Sequence, residues 1–415
     1  MKTNLILRLL ALTTLFSLTS CSDDDDDSTE ITTGNFVVTI ENTFKGKEYF
    51  ANGTTGFIAP GNSESFSFNA GKGYYLSFAT MFVQSNDLFY GFDEMGIALY
   101  DENGNALTGD VTSMVSLWDA GTEVNEEPGI GPNQAPRQTG PDTGADENGT
   151  VKRITEVNDG FAYPNVSDVI KVTLVHDGGT EFTVTLENVS GSASITTPLA
   201  PGVWVVNGAE QTPLFTVDNA ASEGLERIAE DGDNSILDTD FTMASGLVSP
   251  FAPGAYGINN AVFVIGESAT GALEALAEDG NPSGFSNLFN TPVGASGPGP
   301  IFPGESYSFE FTASEGDVLS FATMLVQSND WFIGANDIEL FNNGISTTGD
   351  ITNMLELFDA GTEVDEYSGA GNNQAPRQNA ANTGADEDGN VAMEESANAH
   401  VPSVAEMIKV TITTN

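Results

Sequence analysis

Leu76-Ser77-Phe78-Ala79-Thr80-Met81-Phe82-Val83-Gln84-Ser85-Asn86-Asp87 is written a second time in this chain, with one substitution, as Leu319 through Asp330. Working outward, Asp119-Ala120-Gly121-Thr122-Glu123-Val124 returns unchanged as Asp359 through Val364. Asn133-Gln134-Ala135-Pro136-Arg137-Gln138 returns as Asn373 through Gln378, and Thr143-Gly144-Ala145-Asp146-Glu147 as Thr383 through Glu387. The flanks match more loosely: Phe36 through Asn42 with Phe182 through Asn188, and Ile170 through Leu174 with Ile408 through Ile412. Self-similarity on this scale marks a duplicated domain.

Within each copy the apolar period is two. Phe36, Val38 and Ile40 alternate with polar neighbours, as do Phe66 and Phe68, Tyr307, Phe309 and Phe311, and Ile408, Val410 and Ile412. Such alternation marks strands with one buried face, and the Gly/Asn/Asp-rich turns between them suit antiparallel sandwiches. The expected fold class is all-β, with two sandwich domains at 35–176 and 181–415, each with its own core, joined by a linker at 177–180. The Gly- and Pro-rich stretches 126–149 and 366–389 read as long loops, which in a compact domain are functional or disordered.

The offset between copies grows from 146 residues at the first strand to 243 at Asp87, so the second copy carries 97 extra residues, read as an insert at about 195–300. That stretch repeats internally. Leu225-Glu226-Arg227-Ile228-Ala229-Glu230-Asp231-Gly232 recurs as Leu273 through Gly280. Leu225, Ile228 and Ala229 share one helical face, and Gly232 and Gly280 stand where left-handed C-caps belong. Two short helices are expected, with their apolar faces in the core.

At the N-terminus, Lys2 and Arg8 precede an apolar run from Leu9 to Phe16 that is too short to span a bilayer, so residues 1–20 read as a signal peptide. Leu18-Thr19-Ser20-Cys21 resembles the lipobox of bacterial lipoproteins, which implies lipidation at Cys21, the sole cysteine. The aspartates Asp23 to Asp27 repel one another and make residues 21–34 a solvated tether. They also resemble acidic export tags that place Gram-negative lipoproteins on the outer face of the outer membrane. The only membrane contact expected is this lipid anchor. Sixty acidic against twelve basic side chains exclude nucleic acid as a partner, because phosphate neutralisation needs Lys and Arg. An acidic excess means a solvated surface or a capacity for divalent cations.

Three acids recur around the strongest blocks: Asp87, Asp119 and Glu123, then Asp330, Asp359 and Glu363. Asp119 and Glu123 flank Ala-Gly-Thr, where Gly121 can take the positive φ that folds both carboxylates back to one side. Read alone, this is either a hard-oxygen calcium site or an ordinary turn at a strand end; the absence of matched His or Cys argues against zinc. Asp110, Asp146, Asp350 and Asp386 also recur and are second candidates, though the reading preferred for them is exposed turn acids.

Ser328-Asn329-Asp330-Trp331-Phe332-Ile333-Gly334, followed by Phe358-Asp359-Ala360-Gly361-Thr362-Glu363, resembles the signature of the spondin N-terminal domain, Ser-Pro-Asp-Trp-x-x-Gly and then Trp-Asp-Ala-Gly-Thr-Asp. The resemblance covers both copies, best over 60–151 and 303–391. It implies C2-like antiparallel β-sandwiches and one calcium ion per domain, held by the Asp of the first block and both acids of the second. Asn86 and Asn329 replace the proline, Leu88 and Phe358 replace tryptophans, and Glu123 and Glu363 replace the final Asp with a longer arm of equal charge. His176 and His400 fall at unmatched positions, so no His-based catalytic constellation is duplicated, and no enzyme is expected. The resemblance implies binding or adhesion to an extracellular protein or glycan. The alternatives are a glycan-capturing or glycan-degrading surface protein and a passive spacer.

Overall fold

The computed structural model describes residues 32–208, 210, 212–397 and 399–415. The signal peptide, Cys21 and the aspartate run lie outside the described residues. Among the described residues no helix is long and apolar enough to cross a membrane.

The chain begins with β1 (Thr33–Asn42), β2 (Ala51–Thr55), β3 (Ser63–Asn69), β4 (Tyr74–Met81), β5 (Leu88–Gly91) and β6 (Ser116–Asp119). It continues with β7 (Ile170–Gly178), β8 (Glu181–Asn188), β9 (Gly202–Gly208), α1 (Glu223–Asp231) and α2 (Ser235–Ala244). Then come β10 (Phe251–Ile258), α3 (Gly271–Asp279), β11 (Ser306–Ser314), β12 (Val318–Leu325), β13 (Trp331–Glu339), β14 (Glu356–Asp359) and β15 (Ile408–Thr414). Two-residue strands edge the sheets. Every strand pairing is antiparallel within four main sheets, so the fold is all-β with a few short helices.

The alternating strands bury one face as expected: Phe36, Val38, Ile40, Ile408, Val410 and Ile412 are all fully buried. β4 and β5 do not alternate, because both faces of their sheet are covered. On the inner face Leu76, Phe78, Leu88 and Tyr90 pack against Val172, Leu174, Phe182 and Val184 of the opposite sheet. On the outer face Ala79, Phe89, Val203 and Val205 pack beneath Leu225, Ile228 and Ala229 of α1 and Leu237 and Phe241 of α2. The second sandwich repeats the plan with α3 over Ala255, Ala322 and Phe332. Each unit is therefore sheet, sheet, helix, a three-layer stack with one apolar core between the sheets and a second beneath the helices.

The helix ends follow their sequences. Ser222 caps α1 by accepting from Leu225 N at 3.2 Å, and Gly232 ends it at φ 67°. Thr270 and Gly280, at φ 63°, do the same for α3. α2 is a third helix that the sequence does not announce. Only Leu237 and Phe241 mark its buried face, among Thr and Asp residues of modest helix propensity.

The domain boundaries read from the repeat do not coincide with the sheets. β1 lies between β11 and β15 in the second sandwich, Val38 facing Phe309 on one side and Ile412 on the other. β8, read as the first strand of the second copy, instead lies between β3 and β7 in the first sandwich. β9, inside the supposed insert, pairs with β2 and β4 of the first sandwich, and α1 and α2 cover that same sheet. The 97 extra residues are thus no insert of the second domain alone. About half of them complete the first.

What results is a nested pair. The first domain runs without interruption from about residue 48 to 246, and lies in the chain between β1 and β10 of the second. Its entry and exit strands are clamped side by side: Glu48 N donates to Ala244 O at 2.9 Å and Gly246 N to Tyr49 O at 3.0 Å. Both domains share one spatial plan, β9-β4-β5-β6 matching β10-β12-β13-β14 and β3-β8-β7 matching β11-β1-β15. Their chain orders differ by a circular permutation. In the first domain β7 and β8 form a hairpin turning at Gly178 and Gly179, with φ 116° and 55°. In the second the equivalent strands are the first and last strands of the described residues, β1 and β15, and Asn415 N donates to Asn35 O at 3.1 Å. The domains meet where Phe50 stacks on Tyr74, whose hydroxyl donates to Gly369 O at 2.8 Å.

Candidate metal centre

Asp87 sits at the end of a tight turn between β4 and β5. Ser85 Oγ donates to Phe82 O at 2.6 Å and accepts from Leu88 N at 3.1 Å, which pins the turn. The carboxylate points inward, with no exposed surface. Its Oδ2 accepts from Thr122 N at 2.7 Å, Glu123 N at 3.1 Å and Thr122 Oγ1 at 3.3 Å. Asp87 thereby folds the segment after β6 onto the turn after β4. Gly121 makes this possible. It has φ 70°, and a Cβ there would meet Thr150 N at 2.5 Å. Asp119 Oδ1 accepts from Gly121 N at 2.7 Å and Oδ2 from Asn125 Nδ2 at 2.6 Å.

The second domain reproduces this arrangement. Asp330 Oδ2 accepts from Thr362 N at 2.7 Å, Glu363 N at 3.1 Å and Thr362 Oγ1 at 3.1 Å, and Asp359 Oδ1 accepts from Gly361 N at 2.6 Å. In both domains the other oxygen of the first aspartate, Oδ1 of Asp87 and of Asp330, is buried with no hydrogen-bond partner. An orphaned carboxylate oxygen carries a large desolvation cost unless a proton or a cation meets it.

The electrostatics agree with the geometry. Burial, then the charge of Asp119, pushes Asp87 well above the usual carboxylate range, and burial raises Asp119 to about 6. In the second domain burial raises Asp330, while burial and then the Asp330 charge push Asp359 to about 7. Carboxyl oxygens of Asp87, Asp119 and Glu147 all lie within 4.8 Å of one another. Around Asp330 and Asp359 the added charge comes from Glu387 and Glu394, and from Asp365, itself pushed to about 7 by burial and then by Asp359.

The six acids singled out from the sequence are therefore not one group per domain. Asp87 joins Asp119, and Asp330 joins Asp359. Glu123 and Glu363 do not join them. Their backbone N–H groups serve Asp87 and Asp330, while their side chains turn to the long loops. Glu123 Oε1 accepts from Gly144 N at 2.6 Å and Oε2 from Asn86 Nδ2 at 3.1 Å; Glu363 accepts from Gly384 N at 2.9 Å and Asn329 Nδ2 at 3.3 Å. Glu147 was visible in the sequence as a recurring acid, yet nothing there linked it to Asp87. Asp110 and Asp350 are exposed and accept from the N–H of Thr112 and Thr352, each at 2.9 Å. Asp146 and Asp386 are exposed and bridge to the backbone of Glu123 and Glu363.

The loops are built rather than loose. Arg137 Nε donates to Gly131 O at 2.7 Å and Nη1 to Gln84 Oε1 at 2.9 Å, with Arg377 holding the second loop in the same way.

Residues 203–390 match the model of the spondin N-terminal family, Spondin_N. The match opens on β9 and takes in α1 to α3 and the second pair of blocks, Asp330 and Asp359 to Glu363 included. No curated protein matches the chain.

Proposed function

Starting from the match of residues 203–390 to the spondin N-terminal family, we propose a non-enzymatic extracellular protein of the binding or adhesion type. Each of its sandwiches takes one calcium ion, the first at Asp87 and Asp119 with Glu147 beside them, the second at Asp330 and Asp359. The observation that carries the reading is the duplicated aspartate pair whose first member, Asp87 or Asp330, is fully buried with one orphaned oxygen. The residues fit a hard divalent ion. They offer oxygen only, they repel one another without it, and their burial makes that repulsion strong. When bound, calcium supplies charge neutralisation at the pair. The chain's own residues do the rest: Gly121 and Gly361 shape the turn, and the Thr122 and Thr362 N–H groups hold the first aspartate in place.

In this proposal Cys21 carries the lipid that tethers the protein to the outer membrane, and the aspartate run sends it to the outer surface. The ligand is an extracellular protein or glycan.

Stripping the protein with a chelator and melting it with and without calcium tests the metal reading. An ion bound only by the folded state, present at ten times its Kd, adds about 1.4 kcal/mol. That corresponds to a rise of about 2–6 °C in melting temperature for a domain of this size. Asp119→Asn and Asp359→Asn together should abolish the rise, and Asp110→Asn should leave it intact. A wild-type melt that calcium does not move would end the reading. Array binding to glycans and matrix proteins, with and without calcium, then identifies the ligand.

A further inference from the structure

We propose that the first domain holds a second divalent-cation site, at Glu123, Asp142 and Glu230, which the second domain lacks. Three separate elements supply it: the turn after β6, the long loop 126–149, and the last turn of α1. Carboxyl oxygens of the three residues all lie within 4.8 Å of one another. Hard carboxylate oxygens brought from three separate elements suit calcium, which tolerates irregular geometry, better than magnesium, which demands a strict octahedron.

Crowded acids alone are no site, and here Glu230 adds the deciding observation. It is only 2% exposed, its Oε2 has no hydrogen-bond partner, and its carboxyl group lies within 4.8 Å of the other two. Burial pushes Glu230 to about 7, and the Glu123 charge adds to that rise. Among the described residues no Lys or Arg pairs with any of the three. Arg227, on the same helix, is taken by Asp231 at 2.7 Å. Thr143 Oγ1, next to Asp142, is also buried without a partner and offers a neutral oxygen. The scaffold is fixed without an ion: Gly144 N and Asn86 hold Glu123, Gln138 Nε2 ties the loop to α1 through Asp231 at 2.8 Å, and Asp142 takes φ 52°.

This site adjoins the aspartate pair through Thr122 and Glu123, whose N–H groups hold Asp87, but its carboxylates are a separate set. The charges that raise Asp87 are Asp119 and Glu147, and those that raise Glu123 are Asp142 and Asp231. In the second domain Glu363 and Glu278 keep their places, but Asn382, at φ 49°, stands where Asp142 does. One carboxylate is missing there.

Native mass spectrometry and titration calorimetry of the chelator-stripped full chain with calcium test the proposal by counting ions. The expected count is three. Asp142→Asn, an exposed substitution that copies the second domain, should lower it to two, as should Glu230→Gln. Asn382→Asp should raise it to four. Asp119→Asn with Asp359→Asn should leave one ion, lost on adding Asp142→Asn. A wild-type count of two that Asp142→Asn leaves unchanged overturns this site and spares the aspartate pairs. A single ion that depends on Asp142 but not on Asp119 or Asp359 keeps this site and removes the pairs. Failure of the chain to bind calcium removes both.

Discussion

Cutting the chain at the repeat boundaries should destroy the first domain, and cutting it at the clamp should preserve it. A fragment of residues 35–176 keeps β2 to β7 but loses β8, β9, α1 and α2. β8 is the strand between β3 and β7, so those two lose their shared partner, and β4 loses β9 along one edge. The side chains removed from the core include Phe182, Val184, Leu186, Val203, Trp204, Val205 and Val206, none more than 7% exposed. At about 1.5–3 kcal/mol for each large apolar side chain, the loss is roughly 10–20 kcal/mol, as large as the whole stability of a typical domain, about 5–15 kcal/mol. The same fragment carries β1 with Phe36, Val38 and Ile40 unburied, an invitation to aggregate. A fragment of residues 48–246 contains every strand of the first sandwich, its helices, and the paired entry and exit segments. Far-UV circular dichroism with thermal and urea melts of the two fragments decides the matter. The fragment 48–246 should melt in one cooperative transition, and 35–176 should show none. A cooperative melt of 35–176, or an unfolded 48–246, would refute the nested arrangement.

Metal-free protein should grow less stable as pH rises through the acidic range. Asp119 and Asp359 sit at about 6 and about 7 in the fold against an ordinary 3.8, so the folded state binds more protons between those values. The stability is full below about pH 4 for these groups and is lost as pH climbs to 7; melting temperatures of chelated protein across that range should fall, and Asp119→Asn with Asp359→Asn should flatten the slope. Gly121→Ala should cost at least about 1–2 kcal/mol in urea unfolding, the price of a left-handed φ for an L-residue, plus the clash with Thr150; a change below 0.5 kcal/mol, roughly that of a neutral surface substitution, would mean the turn is not fixed as described. Cys21→Ser should move the protein out of the membrane fraction or leave it unprocessed; unchanged fractionation and migration would exclude the lipid anchor.

The sequence by itself determined the duplication, the strands and the acids. Alternation at Phe36-Val38-Ile40 and Ile408-Val410-Ile412 says which face of each strand is buried, and Ser222 with Gly232 brackets α1, because these are local properties of consecutive residues. The identical turns at Asp119 and Asp359 followed from the same local logic, with Gly121 and Gly361 needed for φ of 70° and 69°. Only the tertiary structure decided which strands are neighbours. A buried apolar face and a row of backbone N–H and C=O groups fit any sheet edge of matching register, so β1 and β8 carry nearly the same signal and each completes the sandwich that its position in the chain would not suggest. The split of the acids has the same origin. Glu123 gives its N–H to Asp87, which directs its side chain away from Asp119 and toward Gly144, Asp142 and Glu230, the last of these 107 residues further along the chain. Contacts across such separations depend on where the chain returns, and that is set by the packing of whole sheets and helices rather than by any spacing between residues.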